Sequence, residues 1–157
     1  MKYFKYDIGN KLSFNLIDSN SNEISSNDFI GKWLILYFYP KDNTKGCTTE
    51  AIDFTNSLEE FKKLNAEVVG VSPDEPKKHI KFIEKHNLKV TLLSAENEVL
   101  NEVGVWQMKK MYGREYYGVM RTTVILNPNG VIEYVWEKVK VSNHIKEVLN
   151  KLIELQK

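Results

Sequence analysis

Two hydrophobic rhythms alternate along the chain. Trp33-Leu-Ile-Leu-Tyr-Phe-Tyr39 is a continuous apolar run closed by Pro40, too short to span a bilayer and of the length of a buried strand. From about residue 47 to 64, Ala51, Phe54, Leu58 and Phe61 return at helical spacing and predict an amphipathic helix. A β-branched strand follows at 68–71. Pro76 opens a second helix with Ile80 and Ile83 facing inward, and residues 90–93 form the next strand. Asn97 caps a short helix through Val99, Leu100 and Val103, which Gly104 stops. A weak hairpin is predicted at the start, over 14–18 and 23–24. A stronger one pairs 121–126 with 131–136 across Asn127-Pro-Asn-Gly130, a good turn string. The last helix begins near Ser142 or Asn143 and buries Ile145, Val148, Leu149, Leu152 and Ile153.

Strand, helix, strand, helix, then a hairpin and a closing helix give an α/β fold: a mixed central sheet flanked by helices on both faces. A thioredoxin-like layout suits this order, and other small α/β folds fit the periodicity nearly as well. The 157 residues are expected to form a single domain over 1–157, long enough to bury a core. A formal net charge of +1 gives no basic field to argue for nucleic acid or an anionic membrane. The first residues contain no apolar stretch of signal-peptide length, and a cytoplasmic location is expected.

Candidate chemistry concentrates at Cys47, the one cysteine of the chain, which excludes an internal disulfide. A lone cysteine commonly packs as a small hydrophobe. This one follows a buried strand and opens a helix, where unpaired backbone N–H groups and the positive end of the helix dipole favour a thiolate. Ionisation alone brings a modest gain, because nucleophilicity falls with thiol pKa. A fast sulfur also needs donors aimed at the charge that develops on the leaving oxygen. The Thr44 hydroxyl, backbone N–H groups near Gly46 and Cys47, and the guanidinium of Arg121 would supply them, with Pro40 locking the loop. Each has a plainer reading: Pro40 ends a strand, Thr44 caps a helix and Arg121 makes a surface ion pair. His79, His86 and His144 share no ligand spacing, no metal site or cofactor is expected, and His79 and His86 read as a solvated helix face.

The spacing Pro40-x-x-x-Thr44-x-x-Cys47 resembles the active-site motif of peroxiredoxins, thiol peroxidases on a thioredoxin fold. Residues 37–51 as a whole resemble the bacterioferritin-comigratory, or Q-type, branch. So do Gly70-Val-Ser-Pro-Asp74, Gly104-Val-Trp106, Lys110-Met-Tyr-Gly113 and Gly118-Val-Met-Arg-Thr122, in the branch's order. The resemblance implies that Cys47 is the peroxidatic cysteine, that Arg121 holds it as thiolate, that Thr44 contacts the peroxide and that Pro40 shields the sulfur. Glu50 matches a position used to orient the arginine; a carboxylate favourably placed in a helix first turn is the plainer account.

Two departures stand out. Members of this branch commonly carry a resolving cysteine five residues after the peroxidatic one, and here that residue is Ile52. The N-terminal stretch Leu12-Ser-Phe-Asn replaces a proline-containing segment, which puts the opening hairpin in question. The expectation is a one-cysteine enzyme that reduces hydrogen peroxide and organic hydroperoxides through a sulfenic acid. An external thiol (thioredoxin, glutaredoxin or glutathione) would regenerate it, in a monomer or homodimer. A non-catalytic redox sensor or client-binding protein on the same fold is the alternative. A thiol–disulfide oxidoreductase would want a second cysteine where Glu50 stands. Residues 108–120, rich in Tyr and Met, read as a packed loop, with a pocket for alkyl hydroperoxides as the second reading.

Overall fold

The computed structural model describes residues 2–157. Its frame is a seven-stranded sheet. The first strands are β1 (Asn15–Asp18) and β2 (Glu23–Ser25), followed by a 3-10 turn over Ser26–Phe29. Then come β3 (Trp33–Phe38), α1 (Lys45–Lys63), β4 (Ala66–Ser72), α2 (Pro76–His86), β5 (Thr91–Ser94) and α3 (Asn97–Val103). The chain closes with β6 (Trp106–Met111), β7 (Arg114–Val119), β8 (Thr122–Leu126), β9 (Ile132–Trp136) and α4 (His144–Leu155). The sheet order is β2-β1-β5-β4-β3-β8-β9; β4 runs parallel to both β3 and β5, whereas β8 and β9 join antiparallel, so the sheet is mixed. The opening hairpin forms in spite of its unusual sequence and extends the sheet beyond β5.

Alternation along the central strands decides which helix goes where. Ile35, Tyr37 and Tyr39 point to a core shared with Ala51, Phe54 and Phe61 of α1, Phe82 of α2, and Ile145, Val148 and Leu152 of α4. Leu34, Leu36 and Phe38 point the other way, to Leu100 of α3 and to Phe4 and Leu12 of the N-terminal segment. Residues at i and i+2 share a face of a strand. A strand apolar on both faces is therefore buried twice, as its unbroken run implied.

Three expectations need correction. Ile80 and Ile153 are exposed. The buried stripe of α2 is instead His79 and Phe82, with Ile83 partly covered. His79 and His86 do not form a solvated face: His79 is fully buried, and both side chains turn toward the loop before α1. Finally, residues 106–119 form a separate two-stranded hairpin, β6 with β7, and not a loop. Its turn is Tyr112–Gly113, both at positive φ (53° and 76°), the conformation two-residue hairpins require. Tyrosine seldom adopts it, so no Asn-Gly signal announced the turn. Most of the hairpin's residues are exposed, so it shows little burial alternation either.

Candidate active site

Strand β3 delivers the chain to one end of the sheet, and Pro40, half buried, lies just past it. Helix α1 starts two residues earlier than the apolar spacing suggested, at Lys45, which makes Cys47 its third residue. The first amides of a helix lack intrahelical acceptors, so Cys47 lies among unpaired donors. Its side chain is only 1% exposed. Thr44 has extended dihedrals and stands before the helix, yet its hydroxyl does not cap it. The hydroxyl donates to the Lys41 carbonyl at 2.7 Å. With its proton so engaged, Thr44 Oγ1 offers lone pairs and acts as an acceptor.

Arg121 lies immediately before β8, on the neighbouring strand, and its backbone is pinned there. Its carbonyl accepts the Val139 N–H at 2.9 Å and the Tyr3 hydroxyl at 3.4 Å. The guanidinium divides its fork between two groups of α1. Nη1 donates to Glu50 Oε1 at 2.7 Å, and Nη2 donates to Cys47 Sγ at 3.4 Å. Glu50 is placed to do this because residues i and i+3 of a helix share a face. Gly46 leaves the room: a Cβ there would lie 3.1 Å from Arg121 Nη2. Burial works against the Arg121 cation, but Glu50 and Cys47 outweigh it and raise its pKa above the ordinary value.

Glu50 is fully buried and half satisfied, with Oε2 lacking any partner. Burial raises its pKa from 4.5 to about 7, against the opposing pull of Arg121. The folded state thus binds this proton more tightly than the unfolded chain. The stability it contributes is fully present below about pH 4.5 and is lost as pH rises through about 7. We expect urea unfolding to report a loss of roughly 3 kcal/mol from this group between about pH 5 and pH 8. The Glu50→Gln variant should lack that difference from wild type; an unchanged slope in the variant would remove Glu50 as its source.

Two further groups share the electrostatic surroundings of Cys47 without any sequence signal. Tyr37 is buried with its hydroxyl unpartnered, and burial, then Glu50 and Cys47, hold its pKa well above the phenol range. Gly70 on β4 makes space for that ring, since a Cβ would come within 2.6 Å of it. Lys109 of β6 donates to the Val119 carbonyl at 2.9 Å. Burial and then Arg121 lower its pKa, opposed by Cys47, so its charge belongs to the same field. It lies in the segment that read as a loop. His144 sits behind, bonded to Thr123 Oγ1 at 2.8 Å, and burial lowers its pKa. Ile52 is partly buried against the core on α1.

Of the sequence candidates, Cys47, Glu50 and Arg121 are thus joined by direct hydrogen bonds, with Thr44 one turn upstream and Pro40 at the strand end. Among the described residues no three potential ligands meet to hold a metal ion, and no helix is long and apolar enough to cross a membrane.

Residues 8–135 match the AhpC/TSA family. Peroxiredoxin Bcp of Bacillus subtilis is 44% identical over 151 residues, which cover 95% of this chain and 96% of that protein. Among solved structures, PrxQ of Xylella fastidiosa superposes with a TM-score of 0.90 at 37% identity, covering 96% of this chain and 98% of that one. The bacterioferritin comigratory protein of Xanthomonas campestris, described for its alkyl peroxide reduction activity, gives 0.85 at 39% identity over 92% of both chains. The chain belongs to the AhpC/TSA family and is a peroxiredoxin of the Bcp/PrxQ branch, a thiol-dependent peroxidase on a thioredoxin-like fold.

Proposed function

We propose that residues 1–157 act as one peroxiredoxin domain in which Cys47 is the peroxidatic residue, working by a one-cysteine mechanism. The observation that carries this reading is the Nη2–Sγ hydrogen bond of Arg121 to the only sulfhydryl in the chain. The Cys47 thiolate attacks one oxygen of the hydroperoxide. The S–O bond forms as the O–O bond breaks, the leaving oxygen departs as hydroxide or alkoxide and takes a proton from solvent to give water or an alcohol, and sulfur becomes the sulfenic acid. Arg121 stabilises the thiolate and the charge that develops along the O–O bond, and Glu50 aims the guanidinium. Thr44 Oγ1, as acceptor, takes a hydrogen bond from the hydroperoxide O–H and orients the attack. Pro40 stiffens the loop that covers the sulfur.

Hydrogen peroxide and organic hydroperoxides are the proposed substrates, the second supported by the alkyl peroxide activity of the Xanthomonas campestris relative. Since Ile52 offers no thiol, an external one attacks the sulfenic sulfur, expelling its oxygen as water and forming a mixed disulfide. A second thiol equivalent then attacks that disulfide, freeing the Cys47 thiol and releasing the oxidised reductant as a disulfide. Thioredoxin, glutaredoxin and glutathione are the candidate reductants, in a cytoplasmic setting that keeps thiols reduced. The test is peroxide consumption with each reductant in turn. Turnover is expected to stop when the external thiol is omitted, after one equivalent of peroxide per chain. Sustained turnover without it would overturn the one-cysteine reading. The plainer alternative, a stoichiometric redox sensor, predicts no turnover with any of the three.

A further inference from the structure

Beneath the loop that leads from β3 into α1 lies a buried polar cluster that the proposed chemistry does not use. Asp42, 6% exposed, is its centre. Its Oδ2 is 2.6 Å from Nδ1 of the fully buried His79, and its Oδ1 accepts the Tyr39 hydroxyl at 2.6 Å. Its backbone N–H donates to Asp74 Oδ2 at 2.7 Å, and the same oxygen accepts the Ser72 hydroxyl at 2.9 Å. The other ring nitrogen of His79 meets the Leu93 carbonyl of β5 at 3.2 Å. Two turns along the same face of α2, His86 Nε2 lies 3.2 Å from Oδ1 of Asn43, which adopts a left-handed φ of 63°.

Burying a carboxylate is costly unless it is paired and hydrogen-bonded, and breaking such a pair costs far more than breaking one at the surface. Both carboxylate oxygens of Asp42 have partners, and both ring nitrogens of His79 lie within hydrogen-bond distance of an oxygen. A cluster this complete fixes position. What it fixes is a five-residue loop: Pro40 at its start, Thr44 at its end, and Cys47 three residues on. The loop's remaining internal bond, Thr44 to Lys41, spans the same residues.

We propose that α2 clamps the peroxide-binding loop through His79 and Asp42, and that His79 is a positioning residue for oxidation of Cys47. It never touches the peroxide. It sets where Asp42, and therefore Thr44 and the first turn of α1, stand relative to the Arg121 fork. The inference rests on Cys47 being the oxidised residue. The clamp serves the half-reaction that needs the closed geometry, because attack on peroxide requires aligned partners. Reduction of the sulfenic acid by a small thiol requires instead that this 1% exposed sulfur be reached, which a tight clamp does not help.

The experiment measures the two half-reactions separately by rapid-quench intact mass. Hydrogen peroxide serves as oxidant and 2-mercaptoethanol as reductant, on wild type and the His79→Phe, Asp42→Ala and Asp42→Asn proteins. Phe fills the His79 site without hydrogen bonds; Asn keeps an acceptor for Tyr39 and offers a donor to a neutral His79. Oxidation of Cys47 is expected to slow on the order of tenfold in His79→Phe and Asp42→Ala. Asp42→Asn should recover most of that loss, and reduction should be no slower than in wild type in any of them. If His79→Phe fails to fold, the comparison of Asp42→Ala with Asp42→Asn decides. Wild-type oxidation rates in the folded variants would overturn the clamp while leaving the Cys47 reading intact. So would an equal loss in both half-reactions with no recovery in Asp42→Asn. Absence of Cys47 oxidation in wild type itself would overturn both.

Discussion

Replacing Arg121 by Gln is expected to slow oxidation of Cys47 by about 10²- to 10³-fold, the range found when a preorganised donor is removed from a developing charge. The guanidinium serves two acceptors at once, Glu50 at 2.7 Å and Cys47 Sγ at 3.4 Å. A glutamine amide carries no charge and cannot span both. Lysine keeps the charge but not the planar fork, so Arg121→Lys is expected to fall between Gln and wild type. Lost activity would be ambiguous on its own, because the change also takes from the fully buried Glu50 carboxyl its hydrogen-bond partner, at a cost of about 1–3 kcal/mol. The Arg121→Gln/Glu50→Gln double variant separates the two effects. Removing both charges should restore much of the urea midpoint while the oxidation rate stays low. Recovery of the rate together with stability would mean that Arg121 acts only as a structural counterion.

Cys47→Ser is expected to lose peroxidase turnover entirely, down to the uncatalysed reaction of peroxide with the added thiol. The hydroxyl is a weak nucleophile and has no base beside it that would ionise it. Serine is nearly isosteric, so the first turn of α1 should stay in place and thermal stability should shift by only about 1 kcal/mol. No second sulfhydryl exists to take over. The assay is peroxide loss in the presence of glutathione, thioredoxin and glutaredoxin. Residual turnover above that background would move the chemistry off Cys47.

The elements that the sequence made legible are those with a single dominant rhythm. The apolar run closing at Pro40 is β3, and the stripe of Ala51, Phe54 and Phe61 is the buried face of α1. The Asn127-Pro-Asn-Gly130 string is the turn between β8 and β9. What the rhythm could not convey was burial of polar side chains. His79 is as buried as Phe82, but a histidine three residues from an apolar position scores as solvated unless its partner is known. That partner, Asp42, lies 37 residues away across the fold. Isoleucine 80 misled for the converse reason: α2 already has its inward stripe in His79, Phe82 and Ile83, and a helix this short has one buried face. The hairpin of β6 and β7 was hidden because it stands apart from the main sheet and turns on a tyrosine. With it went Lys109, whose place near the sulfur depends on that hairpin.

The site was legible differently. Pro40, Thr44 and Cys47 come close in sequence, and motif spacing alone marked them. Arg121 lies 74 residues beyond Cys47 and was nominated only by its position at the start of a strand and by family resemblance. The fold supplies the physical reason: β8 pairs directly with β3, so the residue before β8 arrives beside the loop that follows β3. For Glu50 the sequence offers two accounts, since an acidic residue in a first helical turn is favourable anywhere. Full burial and the bond to Arg121 give it a specific place.

The central claim is that peroxide oxidises Cys47 directly and that the product waits for an outside thiol. Intact mass after one equivalent of hydrogen peroxide, quenched from milliseconds to seconds, measures it most directly. The account predicts rapid gain of one oxygen at Cys47, cleared on adding a reducing thiol and absent in Cys47→Ser. A thiol that gains oxygen no faster than free cysteine would contradict it.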